Sequence, residues 1–475
     1  MRGAKLQNRT SCWRLGTWVA VMMALSAVSQ AQAPRTYKQG QPLVGSNPTN
    51  NGNQVVPVSS QLVVDASQFL PRNSSDACAA INAAWRKLML STKSSYATMG
   101  GVVDARAFTG DVECNSKPFP SCASDPGLSY PVCPMGVLLL GNARIGTTAE
   151  WIVPSRVRVE GVGEGTPFNA TNGSLVGGTL IYAASGFNTG IPVIQMGQFQ
   201  YFPATTPASS GGGTNPYGYG VQIENLSVDC NGVTGCIGIL NDSSQEDSWI
   251  RDVIVFNAPA YGIRISTNNC GSTVAVNGAE NSGPYRDISI QYSSSGCSQC
   301  GGAIGLLVDG APPTSNSCKN PNTAGIRIRG FDNITVAGGA AGGGPPAIGI
   351  FIYGIATSVS DSHAENFSQD VVIGSTNLAY PTFGVKIDNV SLYNQQVPGT
   401  GITIVNPTNN APSNSQDIFV EGITGYPASG KQQILVDQVN GNTVTGGLVG
   451  WYLLGDGSTL PLKCLTSVVG TSNCQ

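Results

Sequence analysis

The single histidine of this 475-residue chain, His363, stands between two acidic residues in the segment SVSDSHAENF. Asp361 lies two positions before it and Glu365 two positions after it. An imidazole held by a carboxylate can exchange a proton near neutral pH, which is the chemistry of a general base or acid. The same residues could instead be solvated rungs of a repetitive structure. Which of the two interpretations holds for His363 and its acidic neighbours depends on the secondary-structure elements that position these residues.

Six short segments share one pattern, in which an Asn or Asp is followed by residues that alternate between mostly apolar and other types. They are NLSVDC, DVIVFN, DISIQY, NITVAG, DSHAEN and NVSLYN, which begin at Asn225, Asp252, Asp287, Asn333, Asp361 and Asn389. Most are followed, after a loop of variable length, by a second apolar run such as YGIRI or IGIFI. Repeated short strands with variable connections and no helix between them indicate a solenoid, in which insertions leave the stack at the turns.

Stacking these segments in parallel predicts which side chains lie inside. The first and third residues after each Asn or Asp would form internal columns, and most are apolar, as in Leu226 and Val228. The second and fourth residues would point outward. This places His363 and Glu365 on one outer face, with Tyr393 one coil, or about 4.8 Å, from Glu365. The Asn/Asp column itself is interpreted as a ladder of turn residues, because both residue types accept unusual backbone angles.

The coil pattern resembles the right-handed parallel β-helices of the pectate-lyase-like superfamily. The segment DACAAINAAW…GGVVDARAFTG resembles the capping helix and first strand of that superfamily, and GVLLLGNARIGTTAEWIVPSRVRVEGVGEGT resembles the first coils of its secreted polysaccharide-active members. The resemblance covers about residues 61 to 450. It implies an all-β fold, a right-handed parallel β-helix solenoid with an N-terminal capping helix. It implies no single activity, because the superfamily includes lyases, hydrolases, epimerases and non-catalytic tailspikes or adhesins.

Four regions are expected along the chain. Residues 1–33 indicate a secretory signal, since basic residues precede the apolar run LGTWVAVMMALSAV and small residues follow it. Residues 34–60 are rich in Pro, Asn and Gly and are predicted to be a flexible linker. Residues 61–455 would form the β-helix, with a helix capped by Ser75 or Asp76 near its start. Residues 456–475 would be a tail in which Cys464 and Cys474 form a disulfide.

Composition favours a secreted or periplasmic location. Charged residues make up only 11% of the chain and the net charge is −3, which disfavours a nucleic-acid-binding surface. No segment after the signal is long and apolar enough to predict a membrane span. Twelve cysteines would remain after the signal is removed, and an even number favours disulfides in an oxidising compartment.

A polysaccharide is the expected partner, lying in a groove along the stacked strands. The first hypothesis is a lyase that acts on an acidic, uronate-containing glycan, with His363, Glu365 and Tyr393 as catalytic residues. β-Elimination needs a base for the C5 proton of the sugar and a positive charge beside the uronate carboxylate.

Candidate substrate-binding residues are the charged residues predicted to point outward. Arg264, Arg327 and Lys386 would contact the uronate carboxylates. Asp229 would bind a sugar or a metal, or it would be an ordinary strand-end residue beside a disulfide. Calcium is left open as another source of positive charge, and no cofactor is otherwise expected.

Two other classes of function stay open. A non-catalytic carbohydrate-binding or surface solenoid is expected if the outward residues are dispersed. A glycoside hydrolase would need two carboxylates that flank one bond, but Asp229 and Glu365 are four coils, or about 19 Å, apart. A loop would therefore have to supply the second carboxylate. The clustered Asp residues and Gly-His-Gly that are typical of polygalacturonases are absent from the sequence.

Overall fold

The computed structural model of the chain is a right-handed parallel β-helix, which confirms the predicted solenoid and its capping helix. It describes residues 63–72, 74–91, 100–121, 133–166, 177–197, 220–241, 244, 247–266, 283, 285–292, 297–309, 331–338, 346–352, 357–374, 382, 384–393, 399–405, 418–426, 434–437, 446–448, 453–454 and 462–464. The predicted signal and linker, residues 1–60, lie outside these ranges. Within the ranges, no helix has the length and apolar character needed to cross a membrane.

The described strands pair in parallel and belong to two sheets. The larger sheet contains β1 (Val63–Asp65), β2 (Gly101–Ala105), β3 (Gly110–Cys114), β4 (Gly136–Leu140), β5 (Ala143–Thr147), β7 (Val157–Glu160), β8 (Leu180–Ala183), β10 (Gln222–Asp229), β12 (Trp249–Phe256), β14 (Tyr285–Gln291), β16 (Phe331–Ala337), β18 (Ser358–Ser360), β19 (His363–Glu365), β21 (Lys386–Asp388), β22 (Ser391–Tyr393), β24 (Ile418–Glu421), β25 (Thr424–Tyr426), β27 (Gly446–Leu448) and β28 (Leu453–Leu454). The smaller sheet contains β6 (Trp151–Val153), β9 (Pro192–Met196), β11 (Ile237–Asn241), β13 (Tyr261–Ser266), β15 (Ile304–Asp309), β17 (Ile348–Ile352), β20 (Gln369–Ile373), β23 (Thr400–Val405), β26 (Ile434–Asp437) and β29 (Leu462–Cys464).

The larger sheet consists of two stacks joined along a bend. The first stack holds β1, β2, β4, β7, β18, β21, β24 and β27, with the N-terminal halves of β10, β12, β14 and β16. The second stack holds β3, β5, β8, β19, β22, β25 and β28, with the C-terminal halves of those four strands. The smaller sheet is the third stack. A coil thus passes through the first, second and third stacks in turn, as from β10 to β11.

The internal columns follow the predicted register. In the second stack, one column contains Val228, Val255, Ile290, Val336, Ala364 and Leu392, each paired with the next. All six are at most 1% exposed. Burying a Val, Leu or Ile side chain completely contributes roughly 1.5–3 kcal/mol, so a slip of one residue that turned this column outward would be strongly disfavoured.

The Asn/Asp column forms the bend between the first and second stacks. Asn225, Asp252, Asp287, Asp361 and Asn389 all adopt left-handed backbone angles, with φ between 48° and 54°. The next coil carries a glycine in the equivalent position, with φ of 66°. The Nδ2 group of Asn389 also donates a hydrogen bond to Oδ1 of Asp361. These residues therefore turn the chain, as predicted.

Replacing Asp287 by alanine is expected to lower the free energy of unfolding by about 1–2 kcal/mol, because alanine keeps the Cβ that is unfavourable at a φ of 54° but lacks the short polar side chain with which Asp tolerates this angle. Asp287→Gly should lose less, since glycine adopts this angle without the steric penalty. Urea unfolding of the two variants measures the difference. Equal losses would contradict the backbone explanation and would instead implicate the contact between Arg286 Nε and Asp287 Oδ2, which are 3.4 Å apart.

The capping helix, α1 (Ala77–Ser91), begins after Asp76. Oδ1 of Asp76 accepts hydrogen bonds from the backbone N–H groups of Cys78 and Ala79, at 3.0 and 3.2 Å. Asp76 is therefore the N-cap, one of the two residues predicted for that role. The buried face of the helix includes Ile81, Ala84, Trp85 and Leu88.

Disulfides secure several of the turns. Cys78 in α1 is bonded to Cys114 in β3, and the pairs Cys230–Cys236 and Cys297–Cys300 close short loops. The predicted pair Cys464–Cys474 falls partly outside the described residues, because Cys474 is beyond the last of them. Cys464 itself lies in β29, which pairs with β26. The third stack thus extends into the region that was predicted to be a tail.

Candidate functional site

His363 and Glu365 lie side by side on the outer face of β19. Ala364 between them is completely buried, and both neighbours consequently point outward. Nε2 of His363 is 3.3 Å from Oε2 of Glu365, and each side chain is 32% exposed. The pair is therefore in contact and accessible to a ligand.

Tyr393 is the in-register neighbour of Glu365 on the adjacent strand β22, and Ser391 is the neighbour of His363. The spacing of parallel strands places these backbones about 4.8 Å apart. The Tyr393 side chain is half-buried. The structure thus brings the three predicted catalytic residues together on one patch, which we call the His363 site.

The backbone around the His363 site is closely constrained. The backbone N–H of Gly338 donates a hydrogen bond to the carbonyl oxygen of Glu365 at 2.8 Å. The backbone N–H of Asn366 donates one to the carbonyl oxygen of Tyr393 at 3.0 Å. A Cβ on Gly338 would lie 2.3 Å from the carbonyl oxygen of Asn366, so the chain passes too closely for a larger residue. Phe367 follows and is completely buried. The end of β19 is consequently held in place by its neighbours on both sides.

Arg264 does not join the His363 site. It lies on β13 in the third stack, whereas His363 lies on β19 in the second stack. Its guanidinium is 5.2 Å from the centroid of the Tyr261 ring, which is a cation–π contact. Arg327, another predicted contact, lies outside the described residues.

Lys386 is held by carboxylates of the protein on the first stack. Its Nζ atom is 2.6 Å from Oε1 of Glu421 and 2.9 Å from Oδ2 of Asp388. Hydrogen bonds to the two carboxylates raise the pKa of Lys386, and the bond to Glu421 has a larger effect than the bond to Asp388. The side chain therefore stays charged. Its charge is balanced locally, and binding a uronate would mean competing with both carboxylates.

Asp229 occupies the outward register position of its strand but is completely buried. Its Oδ1 accepts hydrogen bonds from the backbone N–H of Asn231 at 2.6 Å and from Nδ2 of Asn257 at 3.4 Å. It directly precedes Cys230, which forms a disulfide with Cys236. This geometry favours the second interpretation of Asp229, a strand-end residue beside a disulfide.

A bound metal finds no support among the residues that the structure describes. Those residues contain no group of three His, Cys, Asp or Glu side chains that could hold an ion. Calcium stays an alternative source of positive charge.

A charged network on the first stack was missed by the sequence analysis. Glu224 is completely buried and forms ion pairs with Arg158 and with Arg251, the latter at 2.5 Å. Both guanidiniums also lie within 6 Å of the Trp249 ring, at 5.9 and 4.9 Å from its centroid. The sequence feature that could have predicted this network is the residue directly before each Asn or Asp of the repeat. Glu224 and Arg251 occupy that position on adjacent strands and pair in register. Opposite charges on adjacent coils stabilise such a column.

Comparisons with known proteins find likeness only among solved structures. No protein-family model matches the chain, and no curated protein matches it. The A-module of a mannuronan C-5 epimerase from Azotobacter vinelandii is 13% identical, with a TM-score of 0.37, and the match covers 84% of this chain and 96% of the module. The surface adhesin PfbA of Streptococcus pneumoniae is 10% identical, with a TM-score of 0.35, and coverages of 82% and 86%.

A protein of Geobacillus virus E2 is also similar, with 14% identity and a TM-score of 0.36. The match covers 83% of this chain but only 61% of the viral protein, so the chain spans less than two thirds of that protein's length. At these identities and TM-scores, the likenesses assign neither a family nor an activity to the chain.

Proposed function

We propose that this protein is a secreted enzyme that cleaves an acidic polysaccharide by β-elimination at the His363 site. The observation that carries the proposal is the grouping of His363, Glu365 and Tyr393 on adjacent strands, all at least partly accessible. Parallel strands form a shallow outer surface along which an extended glycan can lie. A paired imidazole and carboxylate beside a phenol are groups that can move protons to and from a sugar.

The proton transfers follow from the contact between His363 and Glu365. In this proposal Nε2, which is 3.3 Å from Oε2 of Glu365, carries the ring proton, and Nδ1 keeps the lone pair. Nδ1 takes the C5 proton, the C5 electrons form the C4–C5 double bond, and the bond between C4 and O4 breaks. The Tyr393 hydroxyl gives its proton to the departing oxygen. Glu365 stabilises the imidazolium that forms at His363.

The reaction also requires the uronate carboxylate to be neutralised, since this makes the C5 proton more acidic. Lys386 is held by Asp388 and Glu421, and Arg264 lies on another stack. Arg327 therefore stays a candidate for this role, and calcium carried by the substrate is the alternative. The two are distinguished by whether activity depends on added calcium.

The decisive assay incubates the protein with a panel of polyuronates and neutral polysaccharides, each with calcium and with a chelator. Ultraviolet absorbance reports unsaturated sugar ends, and a reducing-end assay reports all chain cleavage. We expect absorbance to rise with at least one polyuronate. Reducing ends without absorbance would identify a hydrolase, and binding without cleavage would identify a non-catalytic solenoid. Either of these results would overturn the proposal.

A further inference from the structure

A second group of polar and aromatic residues lies at the N-terminal end of the second stack, on β3, β5 and β8. Asp111 pairs in register with Arg144, while Glu113 pairs with Gly146 and Gly146 with Tyr182. All five positions are on the outward side of their strands. Of these strands, β3 and β8 lack the opening Asn or Asp, and the six-segment repeat in the sequence included none of the three. We call this group the Tyr182 cluster.

The Tyr182 ring rests on the backbone of Gly146. A Cβ on Gly146 would lie 2.7 Å from the Tyr182 hydroxyl oxygen and 2.8 Å from Cζ, which is closer than real contacts allow. The hydroxyl end of the ring thus occupies the space that any other residue at position 146 would fill. The side chain is half-buried, because one side packs on the sheet and the rest meets solvent. Such a ring is an amphipathic platform on the protein surface.

Hydrogen-bond donors and acceptors both surround the Tyr182 ring. Nε of Arg144 is 3.4 Å from Oδ1 of Asp111, and their side chains are 16% and 72% exposed. Glu113 is also exposed and accepts a hydrogen bond from the Ser75 hydroxyl. Burial, followed by the charge of Asp111, raises the pKa of Tyr182, so its hydroxyl keeps its proton near neutral pH. The cluster therefore offers a guanidinium, a phenol and two carboxylates around one ring.

The Tyr182 cluster is separate from the His363 site. Ser227 and Asp229 follow on the next strand of the second stack, and both are completely buried. The Ser227 hydroxyl donates to the carbonyl oxygen of Gly165 at 2.9 Å, so the segment that contains Gly165 covers this part of the face. Five strand steps separate β8 from β19, or about 24 Å at the usual spacing.

We propose that the Tyr182 cluster is a binding site for a neutral sugar residue of a glycan, with the sugar ring stacked on Tyr182. A sugar has an apolar ring face and a rim of hydroxyls, which donate to carboxylates and accept from a guanidinium. The cluster has two carboxylates and one guanidinium, so its charge disfavours a uronate and favours a neutral residue. The site is independent of the proposed elimination reaction and of the residues that perform it.

The test is binding to an array of neutral oligosaccharides (cello-, manno-, xylo- and galacto-oligosaccharides) and uronate oligosaccharides, followed by titration of the best neutral ligand. Tyr182→Ala should weaken binding by about tenfold, the loss that corresponds to one aromatic stacking contact. Gly146→Ala should weaken it similarly, because the new methyl group displaces the ring without removing it. Tyr182→Phe keeps the platform and should stay within about threefold of the original affinity.

Two controls make the result specific. Tyr261→Ala removes a half-buried tyrosine from the third stack and should bind as the unmodified protein does. His363→Ala should also bind unchanged, so failure of the elimination reaction and failure of this site can be distinguished. Circular dichroism and the melting temperature verify that each variant is folded. The proposal is overturned if no neutral glycan of the array binds, if Tyr182→Ala weakens the binding of a uronate more than that of any neutral glycan, or if Tyr182→Ala or Gly146→Ala binds the neutral glycan unchanged.

Discussion

His363→Ala is expected to slow the cleavage of the polyuronate by about 10²–10⁴-fold, the range in which general acid–base groups contribute to catalysis. His363 is the only histidine of the chain, and its imidazole is held by Glu365 at 3.3 Å on an accessible face. Removing it leaves no nearby imidazole to accept the C5 proton. The initial rate of absorbance increase at saturating and at limiting substrate measures the loss in kcat and in kcat/KM.

The matched control is Gln291→Ala. Gln291 lies in the same outward column as Glu365, two strands away, and its amide donates to the Ser289 hydroxyl at 2.9 Å. We expect this variant to keep the original rate, whereas Tyr393→Phe should lose activity because it removes the proton donor to O4. If His363→Ala cleaves at the original rate, His363 has no part in the mechanism, even where unsaturated products confirm a lyase.

Glu224→Gln is expected to lower the free energy of unfolding by roughly 2–4 kcal/mol. Removing one partner of a buried ion pair usually costs about 3–5 kcal/mol, because the other charge is left uncompensated. Glu224 is completely buried, but the side chains of Arg158 and Arg251 are each 35% exposed, and this solvation reduces the loss. Denaturant unfolding with circular dichroism, under conditions that keep the disulfides intact, measures the change.

Glu160→Gln is the control for that measurement. Glu160 is the register neighbour of Glu224 on the preceding coil and lies 3.2 Å from the same Arg158 guanidinium, but its side chain is 31% exposed. A partly exposed pair of this kind contributes about 0–1 kcal/mol. Equal losses from the two substitutions would show that burial of Glu224 does not determine the stability of the network.

The placement of His363, Glu365 and Tyr393 could be predicted from the sequence because it depends only on register. Alternating apolar residues in the segments that begin at Asp361 and Asn389 leave one arrangement that buries Ala364 and Leu392. In a parallel stack with a period of two, burying those residues turns their neighbours outward. The left-handed turn residues were predictable for a similar reason, since few residue types adopt such angles.

The surroundings of each outward residue were decided by the tertiary structure. Asp229 and Glu365 have equivalent register positions, yet Asp229 is completely buried and Glu365 is 32% exposed. Lys386 is balanced by Glu421, a residue of the next coil that is far away in sequence.

The sequence by itself thus determined the fold, the internal columns and the face on which the histidine lies, because these follow from short-range alternation and backbone preference. Only the tertiary structure decided which outward side chains are covered, exposed or paired with a charge, as in the Glu224 network and the Tyr182 cluster. The reason is physical: neighbours across coils are separated by loops of unequal length, and segments that cover the surface follow no repeat. Solvent exposure and ion pairing depend on those contacts, which a pattern read along one strand does not contain.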